Sequence, residues 1–276
     1  MVKQTIEPYF RNKPITLKDL EARHIQQFYS EKLRTVKPNS VIHYHAVIHQ
    51  ALKYAMKTDL VAQNVAMKVD RPKKNDFQPV FLDASELQRL FEVVKGTKLE
   101  LPVLVAAFYG LRRGEVLGLK WDAIDFERGT LTIKRTVTSV NVGGKTQIIE
   151  QESAKTKSSM RTLPLVGRFK EYFAEVKAAQ ELNKQVCGNC YNYEYDGFVF
   201  VDELGERMKP DYLTSQFPAF IQRHGMKKMR FHDLRHTFAT MALSSGVDAK
   251  TLSSMLGHFS AGFTLDTYTH ITNDMQ

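Results

Sequence analysis

Arg230-Phe231-His232-Asp233-Leu234-Arg235-His236-Thr237-Phe238-Ala239-Thr240 is the most informative stretch of this 276-residue chain. His232 and Arg235 lie three residues apart, so a helix sets them on one face, while Asp233 and His236 point elsewhere. Alone, a His-x-x-Arg pair on a helix is an ordinary solvated or capped surface pair. Its neighbours in sequence change the reading. Gly110-Leu111-Arg112-Arg113-Gly114-Glu115 precedes it, Leu256-Gly257-His258 follows, and Thr267-Tyr268-Thr269-His270 comes ten residues after His258.

Two arginines, two histidines, a lysine and a late tyrosine are what strand transfer at a DNA phosphodiester requires. Two guanidiniums clamp both non-bridging oxygens through forked hydrogen bonds, which lysine does less well. A phenol attacks phosphorus and leaves a covalent ester that conserves the bond energy for rejoining. Taken singly, Tyr268 reads as one of 11 tyrosines that pack half-buried, and its position after His258 reverses that reading. Arg113 faces another side of the helix from Arg112 and reads as a surface or phosphate-contact residue. His236 and His270 read as local packing or hydrogen-bonding groups.

The order His-x-x-Arg-His-Thr-Phe-Ala-Thr, then Leu-Gly-His, then Thr-Tyr resembles the tyrosine recombinases, also called the phage integrase family. The Gly-Leu-Arg-x-x-Glu box and a lysine-bearing hairpin add to the likeness, which runs through nearly the whole chain. In detail it is most similar to integrases of conjugative transposons and temperate phages. The resemblance implies that Arg112 is the first catalytic arginine, supported by Glu115. It assigns Lys155 to the lysine between the second and third strands, with Lys157 as the alternative two residues on. His232, Arg235 and His258 take the family's remaining positions, and Tyr268 that of the nucleophile.

The mechanism so implied is a 3′-phosphotyrosyl link with a free 5′-hydroxyl. Arg112, Arg235 and His258 stabilise the transition-state charge, Lys155 protonates the leaving oxygen, and His232 assists proton transfer from Tyr268. No metal, nucleotide or other cofactor is implied. The expected function is site-specific recombination in integration or excision of a mobile element. A type IB topoisomerase and a non-catalytic DNA-binding regulator are the alternatives. The partners implied are double-stranded DNA at element ends, further copies of the chain assembled on it as dimer to tetramer, and an excisionase-type directionality factor.

Charge points the same way. Residues 1–77 hold 14 basic and 7 acidic side chains, an excess of +7 out of +9 for the chain. Such a module is built to grip a polyanion, although a membrane surface or an acidic protein would also be attracted. Arg71, Lys73, Lys74 and Arg113 are the candidate DNA contacts. No run approaches a membrane span, nothing resembles a secretory signal, and two cysteines are too few to staple the fold, so a bacterial cytoplasm is expected. Cys187-Gly188-Asn189-Cys190 supplies half a zinc ligand set and no second pair, so no metal is assigned.

The predicted fold is mainly α with a small antiparallel sheet, arranged as a two-domain C-shaped DNA clamp. Residues 1–74 form a helical core-binding domain, 75–79 a linker within a basic, proline-punctuated strap from Lys68 to Pro79, and 80–276 the catalytic domain. Thr16-Leu17-Lys18-Asp19 suggests a capping box, Ser40 an N-cap for the stripe Val41, Tyr44, Ile48, Leu52 and Ala55, and Val61–Met67 a short helix. Asp83-Ala84-Ser85-Glu86 predicts another capped helix start. Thr130–Val140, Gln147–Ile149 and Thr162–Leu165 read as the three strands of one sheet, with a strand-like run at Phe198–Val201. The family's arm-binding domain is missing, and Met1 falls where the first core-binding helix is already under way, so the chain reads as part of a longer protein.

Overall fold

The computed structural model describes residues 1–75, 80–152 and 160–258, with Ser260, Gly262, Thr264 and Tyr268. The chain divides into two units, Met1–Gln78 and Pro79–Gln276.

The first unit is helical, with α1 (Glu7–Arg11), α2 (Ala22–Leu33) and α3 (Pro38–Lys57). Ile25, Phe28 and Tyr29 of α2 and Val41, Tyr44, Ile48 and Leu52 of α3 form one core with Ala66 and Val69. The stripe expected on α3 is therefore the buried one, Ala55 included. Both expected caps move. Thr16 and Asp19 bond each other in a bend, and α2 begins only at Ala22, where the Glu21 amide donates to His24 Nδ1 at 3.1 Å. Helix α3 starts two residues before Ser40, with Pro38 in its first turn. Proline suits that position because its missing N–H would have had no helical partner. Only Val65–Lys68, a 3₁₀ turn, forms within the short helix expected at 61–67. The strap is held to this unit through Asn75, since Val69 joins the core and the amides of Asp70 and Asn75 donate to Gln26 and Asn39.

The second unit opens with α4 (Ala84–Val94), capped as its sequence predicts. Asp83 accepts from the Glu86 amide at 2.8 Å, and Glu86 accepts from the Asp83 amide at 2.9 Å. Helix α5 (Glu100–Tyr109) is apolar on nearly every side and packs between α4 and α9 (Asp233–Ser244). It stops at Gly110, which takes the left-handed conformation (φ 62°), and α6 (Arg113–Leu117) begins directly after Arg112. Helices α7 (Phe169–Cys187), α8 (Pro210–Arg223) and α10 (Ala249–Leu256) complete the helical frame.

The expected single sheet is in fact two. Strands β1 (Ile124–Asp125), β2 (Thr130–Ile133) and β5 (Arg161–Pro164) form one, and β3 (Arg135–Val142) and β4 (Lys145–Glu152) the other, all antiparallel. The run read as one strand breaks at Lys134. There Lys134 donates to the Asp122 carbonyl, and Arg135 Nη1 donates to both oxygens of the Asp122 carboxylate. Strand β4 therefore pairs with β3 and not with β5. Phe198 and Val201 contribute isolated bridges to Lys120 and Arg207 and no strand.

Candidate active site

Three guanidiniums meet at the carboxyl end of α10. Arg161 Nε donates to the Met255 carbonyl at 2.6 Å. Arg235 Nη2 donates to the Leu256 carbonyl at 2.8 Å, and its Nη1 to the Gly110 carbonyl at 2.7 Å. Arg112 reaches the Leu256 and Gly257 carbonyls at 3.5 and 3.4 Å. The last carbonyls of a helix have no partner within it and carry its negative end, so cations settle there.

Glu115 fixes the cluster from the other side. Only 3 % exposed, it accepts from Arg112 Nη1 at 2.8 Å, from the Arg112 amide at 2.9 Å and from Arg161 Nη2 at 2.8 Å. Burial alone would raise its pKa. The bonds and charges of Arg161 and then Arg112 outweigh that and hold the carboxyl at about 2. Glu115 accepts from Arg112 and from Arg161 alike. Sequence reading misses Arg161, whose partner lies 46 residues away on another element.

Arg235 is 2 % exposed. Burial, then the Arg112 charge, pushes its pKa down to about 9, which still leaves it protonated at neutral pH. Gly257 ends α10 in the left-handed conformation (φ 65°) and turns the chain to His258. The His258 ring bonds Thr264 Oγ1 at 2.8 Å through Nδ1. Burial and the neighbouring Arg235 and Arg112 lower its pKa to about 4, so it is neutral at pH 7. His232 immediately precedes α9 without a side-chain cap bond and is exposed, yet the packed chain around its ring and then Arg235 lower its pKa as well.

Tyr268 is 1 % exposed and packs with Ala239, Leu252 and Leu256 of α9 and α10. Burial raises its phenol, while Arg235 and then Arg112 act in the opposite direction, which places the ring within their field. Its oxygen lies 2.9 Å from His236 Nδ1. Sequence alone makes His236 a local group, but this bond spans 32 residues. The only signal available in sequence is its adjacency to Arg235.

The site therefore assembles Arg112, Glu115, His232, Arg235, His258 and Tyr268 in the second unit. Lys155 and the alternative Lys157 lie outside the described residues. Arg113 is hydrogen-bonded to Thr214, and Arg71, Lys73 and Lys74 are in the first unit, all three exposed. A cavity of about 640 Å³ lined by Leu101, Tyr172, Phe200, Arg207 and Tyr212 includes none of these candidates. Cys187 and Cys190 are free thiols. Among the described residues no group of three His, Cys, Asp or Glu could hold a metal ion, and no helix is long and apolar enough to cross a membrane.

A phenol in the field of two arginines, beside neutral imidazoles, is equipped to attack an anionic ester. Residues 80–275 match the phage integrase family. The chain belongs to that family, the tyrosine recombinases, which are DNA strand transferases. Over 264 residues it is 29 % identical to a "Tyrosine recombinase XerC-like" protein of Caldanaerobacter subterraneus subsp. tengcongensis, covering 91 % of this chain and 68 % of the relative. It is 26 % identical to "Prophage integrase IntR" of Escherichia coli, covering 89 % and 60 %. The chain thus spans roughly two thirds of the length of these relatives. Its fold is similar to that of the Tn1549 transposon integrase in complex with a circular intermediate DNA (TM-score 0.76, 17 % identity, covering 100 % of this chain and 93 % of that one). It is also similar to a lambda integrase dimer bound to a core site (TM-score 0.70, 16 % identity, covering 96 % and 86 %).

Proposed function

We propose that this chain is a site-specific DNA recombinase that cuts and rejoins strands through a 3′-phosphotyrosyl link at Tyr268, in integration or excision of a mobile element. The observation that carries the reading is the packing of buried Tyr268 against Leu256, whose carbonyl accepts from both Arg235 and Arg112. The relatives are recombinases and integrases, which favours strand exchange over topoisomerase relaxation or a silent regulator.

In this reading Arg112, Arg235 and His258 donate to the phosphorane-like transition state. Neutral His258 gives one N–H without adding to the positive charge. Glu115 orients Arg112, and His232 acts beside Arg235 at the start of α9. Lys155 protonates the leaving 5′-oxygen. Arg71, Lys73, Lys74 and Arg113 contact backbone phosphates, which position the protein without reading sequence. The substrate is double-stranded DNA, as in the integrase complexes of similar fold, within a bacterial cytoplasm. Copies assemble on it as dimer to tetramer, and an excisionase-type factor sets direction.

Selection from random DNA tests this without a defined target site. The chain is incubated with nicked duplexes of randomised core, and denaturation-resistant adducts are recovered and sequenced. The parent should capture a narrow family of cores. Tyr268→Phe should bind those duplexes with parental affinity and capture none. Capture without sequence preference would indicate a topoisomerase, and adducts persisting in Tyr268→Phe would sink the nucleophile.

A further inference from the structure

The mechanism implied by resemblance gives the proton of Tyr268 to His232. The structure places a different imidazole on that phenol. His236 Nδ1 lies 2.9 Å from Tyr268 Oη, and the two rings are 5.6 Å apart. The His232 ring instead meets the His236 ring edge-on at 5.3 Å, and its residue is exposed. His236 is 8 % exposed, rigidly carried on α9 one residue after Arg235.

We propose that His236 is a catalytic residue whose Nδ1 accepts the phenolic proton of Tyr268 as that oxygen bonds to phosphorus. The inference rests on Tyr268 being the nucleophile. In the step, the Oη–P bond forms, the P–O5′ bond breaks, the phenolic proton passes to Nδ1, and the 5′-oxygen takes a proton from the general acid. Rejoining reverses each transfer, so the imidazolium returns its proton to Tyr268.

The surroundings give this base a dependence on substrate. Burial first, then His232, Arg230 and Arg235, lower the His236 pKa to about 4, with Asp233 opposing them. Burial holds the Tyr268 phenol in its protonated form. Without DNA the bond is therefore one between neutral partners, and the nucleophile is stored protonated. A phosphodiester seated on Arg235 places a negative charge beside the ring and offsets the cations that depress it. The imidazole thus gains proton affinity as the attacking phenol becomes acidic.

The test uses the duplex selected above and the whole chain. In His236→Asn, the amide oxygen sits near the place of Nδ1 and accepts a hydrogen bond but cannot carry a proton. Single-turnover adduct formation should slow by about 10²-fold or more, with DNA affinity unchanged. A fluorinated tyrosine at position 268, with a more acidic phenol, should narrow the gap between parent and variant. Parental cleavage by His236→Asn, or a gap that fluorination leaves untouched, overturns the proposal. A second measurement needs no DNA. With tyrosines ¹³C-labelled at Cζ, the Tyr268 resonance, identified by its loss in Tyr268→Phe, should move in His236→Leu, and an unmoved resonance also overturns it. Failure of the parent to capture any duplex would instead refute the recombinase reading, while the resonance still decides whether His236 holds the phenol.

Discussion

Glu115 is a single carboxylate between two guanidiniums, and its energetics are those of a buried charge that must stay paired. Removing it with Glu115→Ala leaves Arg112 and Arg161 facing each other, and breaking such a pair costs roughly 3–5 kcal/mol. Chemical denaturation should show that loss. Its pH dependence has a defined sign. The folded value of about 2 lies below the ordinary 4.5, so the carboxylate stabilises the fold above pH 4.5 and that contribution drains away as pH falls towards 2. The contribution at stake is about 3 kcal/mol. Urea midpoints of the parent should therefore fall towards those of Glu115→Gln across that window. Parallel curves would contradict the assignment.

Among the elements, the turn from α5 into α6 bears most directly on the site. Gly110 sits at φ 62°, and a Cβ there would lie 2.5 Å from the Phe238 ring and 2.7 Å from Leu256. Its carbonyl also seats Arg235. Gly110→Ala should cost about 1–3 kcal/mol from backbone strain alone and lower the melting temperature by at least about 2–4 °C. Adduct formation should fall with it, because Arg235 loses its seat. Retained melting and cleavage would show that α9 shifts freely. The α4 cap and the stripe of α3 are legible in sequence because each depends on residues within a turn or two. The break at Lys134 is not, since β-branched residues flank it on both sides and only Asp122, on another segment, marks the bend. Arg112, Glu115 and Arg235 are legible as motif residues. Arg161 and His236 are not, because pairings 46 and 32 residues apart leave no periodic trace.

For the molecule as a whole, charge is the governing quantity. The excess of +7 in residues 1–77 predicts steeply salt-dependent DNA binding. If roughly six to ten phosphates are neutralised, affinity should drop by about 10³–10⁵ between 50 and 200 mM salt. The double variant Lys73→Glu/Lys74→Glu should weaken binding to selected and random duplexes alike, as gel shifts would measure. Weakening confined to the selected duplex would mean that these lysines read bases. The arginines at the end of α10 have a different consequence, for how such a protein can vary over time. They are anchored to main-chain oxygens of Met255, Leu256 and Gly257, which every amino acid supplies. Drift can replace the side chains at 255 and 256 while those anchors persist. A one-residue insertion or deletion in α10 turns each oxygen by about 100° and detaches three guanidiniums together. Descendants of this sequence should therefore differ in spelling through α10 and never in its length.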